Sequence, residues 1–237
     1  MNKITPAVRI LIIINVSLFL LSRVTPFDMT GTLGLYLPVN DQYAAWQYLT
    51  GMFLHHGFFH LVINMAGLFF FGCVVERTFG SQRFLALYFL AGIGSGLIFT
   101  LVESYQYSRG LAIVSAMEAL EGSVQALSGN DVYQQVTRQL SRMYRTEVVG
   151  ASGALYGLIV AVGMRFPNAK VSFRLLPFPI VAKYFVLGLL CIDLALELAA
   201  YSPFGRLMVA HSAHLGGAFI GLLVVLYWRY RSPNQFK

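Results

Sequence analysis

Apolar residues along the chain gather into six long runs, at roughly 7–24, 54–75, 83–102, 149–165, 179–200 and 208–228. Each approaches the ~20 residues that a helix needs to cross a hydrocarbon core. The pattern therefore predicts an all-α bundle of six transmembrane helices. The polar stretch 103–147, between the third and fourth runs, behaves differently. Its apolar residues Ile113, Met117, Leu120, Val124 and Leu127 alternate steps of four and three, and Tyr133, Val136, Leu140 and Met143 do the same. That is the spacing of amphipathic helices. The intervening "SGND", 128–131, supplies a turn, with Asn130 or Asp131 as N-cap. Gly122 weakens the first of the two helices. An extramembrane helical hairpin is thus expected between spans three and four. There is no fixed-period repeat and no low-complexity segment.

Composition strengthens the membrane reading. The 237 residues are 57% hydrophobic and only 11% charged, whereas soluble domains carry about a quarter charged residues. One membrane domain over 1–237 is expected, with the lipid bilayer as its main partner. The net charge of +7 does not imply nucleic acid, because Lys and Arg gather in the cytoplasmic loops of membrane proteins. With the N-terminus inside, eleven of the 17 Lys and Arg fall on the inner side, which puts both termini in the cytoplasm. The expected setting is a bacterial inner membrane. The first run lacks a small-x-small cleavage site and reads as an uncleaved span. Cys73 and Cys191 both lie in apolar runs and read as small buried hydrophobes.

Polar side chains within spans are costly and mark candidate function. "GASG" places Gly150, Ser152 and Gly153 at the start of the fourth run, with Gly157 one turn on. Such residues suit close helix packing, and Gly153 and Gly157 form a GxxxG. Equally, a serine at a helix N-terminus sits beside free N–H groups and a positive dipole end, a good place for a developing oxyanion. In "AHSAHLGGAFIG", His211 and His214 stand at the corresponding end of the sixth run, above a second GxxxG, Gly217 and Gly221. Two glycine faces in contact would bring Ser152 and His214 to similar depth, and histidine is the usual base for a serine nucleophile. In "HHGFFHLVIN", His56, His60 and Asn64 share one helix face, preceded by His55. Two histidines four apart can bind zinc, but no HExxH glutamate or other acidic ligand lies nearby. An amide and an imidazole also suit oxyanion donation. Asp193 and Glu197, four apart in the fifth run, could form an ion path or lie solvated near an interface.

The ordered set of motifs resembles the rhomboid intramembrane serine proteases. The resemblance is carried by "GASG" with Tyr156 following, by the HxxxN of "HLVIN", by "AHLGGAFIG" in the last span and by "ERTFGS" after span two. It implies a Ser–His dyad without the third acid of a triad, with Ser152 as nucleophile and His214 as general base. Asn64, His60 and the Ser152 backbone N–H would form the oxyanion hole, Tyr156 would pack on His214, and Glu76 would be a structural glutamate. The implied partners are transmembrane protein substrates, and no metal or organic cofactor is implied. Two features depart from the family pattern. In "AAWQYLT", Gln47 follows Trp46 where many members carry arginine, and the 103–147 loop is long for a minimal member. An inactive rhomboid-like binding protein and a transporter using Asp193 and Glu197 are the alternative readings.

Overall fold

The computed structural model describes residues 3–121, 126–172, 179–200 and 210–233. Gly122, Val124, Arg174, Arg206, Lys237 and the expected start of the last span at 208 lie outside the described residues. The first helix, α1 (Pro6–Val24), opens on Pro6 at its first turn, where the missing N–H costs nothing. Two short helices, α2 (Met29–Leu33) and α3 (Gln47–Thr50), follow in the first long loop.

The second span runs from Phe58 to Phe79, about one turn later than the apolar run suggested. Gly57 begins it and Gly80, at φ +84°, ends it. It comprises α4 (Phe58–Gly67), a π-helical turn (Leu68–Gly72) and α5 (Cys73–Phe79). Near its far end Glu76 is buried and accepts from Ala7 N and Val8 N at 3.0 Å each, and from Ser81 Oγ at 2.7 Å. The carboxylate thereby satisfies donors in the first turn of α1 that no helix can satisfy internally.

The third span does not stop at residue 102. The single helix α6 (Ser81–Glu121) has 41 residues, about 60 Å at 1.5 Å per residue, twice the ~30 Å hydrocarbon thickness. The expected hairpin is therefore made of the far half of α6 and of α7 (Asp131–Arg145). Asn130 caps α7, its side chain accepting from Val132 N and Tyr133 N. Tyr133 OH donates to Glu118 Oε1 across the hairpin at 2.7 Å. A Cβ added at Gly110 would lie 2.7 Å from Leu140 Cδ2, so the two helices are in tight contact there.

The fourth apolar helix, α8 (Ser152–Arg165), has only 14 residues, about 21 Å. It is too short to span alone, and every residue from Gly153 to Gly163 is buried. It is enclosed by protein rather than lipid, which is where a helix may end within the hydrocarbon depth. A two-stranded antiparallel ribbon, β1 (Lys170–Val171) and β2 (Ile180–Val181), precedes α9 (Ala182–Ala200). The last helix is α10 (His211–Arg231).

Among the described residues, four helices are long and apolar enough to cross a membrane: Pro6–Val24, Phe58–Phe79, Ser81–Glu121 and His211–Arg231. The chain is thus a multi-pass integral membrane protein. Of the two other expected spans, α8 is short, and α9 carries Lys183, Asp193 and Glu197. Asp193 and Glu197 are buried, not solvated. Cys73 is buried as expected, but Cys191 is exposed on α9 beside Leu187, Ile192 and Leu194.

Candidate active site

Glycine decides how closely α8 and α10 approach. A Cβ added at Gly217 would fall 2.0 Å from Gly153 O, and one at Gly221 would fall 2.5 Å from Gly157 Cα. Both distances are to backbone, which cannot swing aside. On α6, Ser95 Oγ donates to Ala213 O at 2.7 Å and occupies the space beside Gly153. The two helix N-termini, Ser152 and His211, are thereby held at one end of the bundle.

The chain enters α8 through Gly150, which sits at φ +129° with its N–H bonded to Gly51 O at 2.9 Å. That φ favours glycine, and a Cβ there would lie 2.9 Å from the His60 ring. Just before it, Leu35 and Val148 exchange backbone hydrogen bonds of 2.9 and 2.8 Å, tying the first loop to this entry. Gln47 holds that loop from within. Its Oε1 accepts from Tyr36 N and Ala44 N, and its Nε2 donates to Thr32 O and Gln42 O. A buried neutral amide thus has four partners in this loop.

Ser152 is the first residue of α8, and Ala151 offers no capping side chain. Helix geometry leaves the first N–H groups of α8 without internal acceptors. Ser152 Oγ lies 2.9 Å from His214 Nε2. The Tyr156 ring, one turn along α8, stacks on the His214 imidazole with centroids 4.4 Å apart and planes 11° apart. An imidazole nitrogen at this distance can take a serine proton.

His60 and Asn64 approach from α4. The His60 ring covers Gly150. Asn64 is buried and Nδ2 donates to His60 O at 2.8 Å, which leaves one amide N–H. His55 is buried too, its ring centroid 5.0 Å from that of His60. His56 precedes α4 and so does not share the helix face of His60 and Asn64 that the spacing suggested; its Nδ1 lies 3.8 Å from Glu147 Oε1.

Pattern reading missed where α9 sends its carboxylates. Asp193 Oδ1 lies 3.1 Å from His214 Nδ1 and 2.5 Å from His211 Nδ1, and Tyr156 OH donates to Asp193 Oδ2. Glu197, one turn on, accepts from Ser212 N at 2.9 Å in the first turn of α10, where the helix dipole favours an anion. The sequence signal was the four-residue spacing of the two acids. It says they share a face, but not which helix that face meets. Among the described residues, Asp193, His211 and His214 also form the one group with a metal-capable geometry, their ligand atoms within 4.8 Å of one another. The histidines at 55–60 do not form one.

Comparison with known proteins gives this arrangement a context. The family description "Rhomboid domain" matches residues 42–231. The chain is 30% identical over 182 residues to "Rhomboid protease AarA" of Providencia stuartii, covering 76% of this chain and 54% of that protein. It is 29% identical over 186 residues to "Presenilin-associated rhomboid-like protein A, mitochondrial" of Danio rerio, covering 76% and 38%. It is also 34% identical over 89 residues to "Inactive RHOMBOID-like protein 8" of Arabidopsis thaliana, covering 38% and 24%. The chain spans about half the length, or less, of these relatives, whose names include both a protease and an inactive protein. A match over most of the chain, together with the buried α8 and its glycine contacts, places this protein in the rhomboid family.

Proposed function

We propose that this rhomboid is a serine endopeptidase acting on transmembrane segments of other membrane proteins. The observation that carries the reading is the 2.9 Å contact between Ser152 Oγ and His214 Nε2 at the end of a helix enclosed by protein. Ser152 Oγ bonds to the scissile carbonyl carbon while its proton passes to His214 Nε2, and the carbonyl electron pair moves onto oxygen. Asn64, His60 and the Ser152 backbone N–H are the donors for that oxyanion. As the tetrahedral intermediate collapses, the C–N bond breaks toward nitrogen, which takes the proton from His214. Water then bonds to the acyl carbon while its proton passes to His214 Nε2, and collapse of the second tetrahedral intermediate breaks the bond to Ser152 Oγ, which takes that proton as the carboxylic acid product leaves.

Gly150, Gly153, Gly217 and Gly221 support the pair by permitting the close approach, and Tyr156 keeps the imidazole plane fixed. We place the site toward the outer face of a bacterial inner membrane with both termini cytoplasmic, as the charge distribution favours. Inactive rhomboid-like proteins are the second reading, and the presence of both serine and histidine favours the enzyme.

The test is cleavage of a single-span reporter by purified protein in liposomes. Ser152→Ala and His214→Ala should each abolish cleavage in folded protein. Their losses should not multiply in the double variant, because the two residues act as one unit. Near-normal turnover by folded Ser152→Ala would sink the proposal.

A further inference from the structure

We propose that Asp193 is a positioning residue for this reaction, its carboxylate holding His214 as the Nδ1–H tautomer and balancing the imidazolium formed during turnover. The inference rests on the protease reading above and adds to it a residue that the Ser–His pair does not contain. Three observations carry it. Asp193 Oδ1 lies 3.1 Å from His214 Nδ1, on the side of the ring opposite Ser152. The carboxylate is buried, 4% exposed, so water does not compete for it. Its other contacts, His211 Nδ1 on Oδ1 and Tyr156 OH on Oδ2, come from α10 and α8 and fix its orientation.

A carboxylate only accepts hydrogen bonds. With Tyr156 OH donating to Oδ2, the two histidines satisfy Oδ1 only if both carry hydrogen on Nδ1. For neutral His214 that leaves Nε2 with a lone pair facing the Ser152 hydroxyl, which is the form a general base requires. In the other tautomer Nε2–H would donate to Ser152 Oγ, so the ring could not take the serine proton, and Nδ1 would face an anion, lone pair to lone pair. When the serine proton reaches Nε2, the ring becomes a cation beside an anion in surroundings of low dielectric, where the attraction is strong. Asp193 itself keeps no proton.

Among the described residues, Asp193 is the carboxylate that meets the imidazole. From α8, Tyr156 and Ser152 are neutral donors. From α10, His211 spends Nδ1 on Asp193, and its Nε2 has no partner among the described residues. From α4, His60 faces the site across Gly150. On α9, Glu197 is turned to Ser212 N, and on α6 Glu103 lies 3.5 Å from Ser212 Oγ. The same three side chains could be read as metal ligands. Two ligands on a tetrahedral ion with bonds of about 2.0–2.1 Å stand roughly 3.3 Å apart. The contacts of 2.5 and 3.1 Å are shorter and suit N–H donation to the carboxylate.

The experiment compares wild-type protein with Asp193→Asn and Asp193→Ala in liposomes, measuring kcat/KM against pH with the single-span reporter. We expect a loss of about 10²-fold or more near neutral pH, toward the ~10⁴-fold seen when a soluble triad loses its carboxylate. In Asp193→Ala the His214 ring should also lose its preference for hydrogen on Nδ1, since no carboxylate then faces that nitrogen. A purely structural role would leave that preference in place. A second measurement does not depend on the variants folding. In wild-type protein labelled with ¹⁵N-histidine, the His214 signal, assigned by its loss in His214→Gln, should be that of a ring protonated on Nδ1.

Asp193 variants that stay within about threefold of wild type with an unchanged His214 tautomer would overturn the proposal. So would an Nε2–H tautomer for His214, or a stoichiometric divalent ion lost in Asp193→Asn. If wild-type protein fails to cleave at all, the protease reading falls instead, while the tautomer still decides whether Asp193 orients His214.

Discussion

Gly217→Ala is the smallest change that should separate Ser152 from His214 without touching either. The new methyl carbon would lie 2.0 Å from Gly153 O and 2.7 Å from Gly153 C, both backbone atoms of α8. Restoring an ordinary 3.4 Å contact requires the helices to part by about 1.4 Å at that level. His214 is one turn from Gly217 on α10, and Ser152 adjoins Gly153 on α8. The 2.9 Å contact between Ser152 Oγ and His214 Nε2 would open to about 4 Å, beyond hydrogen-bond reach. A misplacement of this size costs about 10²-fold in rate, and overpacking costs about 1–3 kcal/mol of stability. The assay is kcat on the single-span reporter, with thermal unfolding and labelling of Ser152 by a fluorophosphonate measured on the same preparation. Gly92→Ala is the matched control. Its Cβ would meet Met52 Cε at 2.1 Å, an equally short distance, but to the end of a flexible side chain that can turn away. We expect Gly92→Ala to stay within about threefold of wild type. If Gly217→Ala also keeps wild-type kcat and midpoint, close glycine packing does not set the Ser152–His214 distance, and that reasoning is wrong.

Two further outcomes follow from the hydrogen bonds. Glu76→Ala should destabilise the protein by about 2–4 kcal/mol, because Ala7 N and Val8 N lose their acceptor in a buried position. Its kcat at permissive temperature should be unchanged, and an unaltered unfolding midpoint would show that the carboxylate does not anchor α1. Asn64→Ala should lower kcat by less than the 10²–10³-fold typical of a lost oxyanion donor, about 10-fold, since His60 and the backbone N–H remain. Unchanged kcat in a folded variant would remove Asn64 from the site, and loss of folding would assign it to the packing of α4.

What the sequence determined by itself is what lipid and helix geometry impose locally. Long apolar runs announced the membrane bundle, and paired small residues announced where helices could touch. Ser152, His214, His60 and Asn64 stood out because polar groups are expensive in such runs. The three–four–three spacing of Tyr133, Val136, Leu140 and Met143 disclosed α7, and Asn130 its cap. Other features were beyond any local pattern. Nothing in residues 103–121 marks whether they form a new helix or extend α6, because an amphipathic stretch continues a helix as readily as it starts one. The run at 149–165 looked like an ordinary span, yet α8 is short and buried from Gly153 to Gly163, since only the packed bundle decides which helix faces lipid. Asp193 and Glu197 shared a face by spacing alone, while Cys191 on the same helix faces outward. Which way that face turns depends on how α9 rotates against α8 and α10. Only tertiary packing could settle it, and it thereby brought a buried carboxylate to the far side of His214.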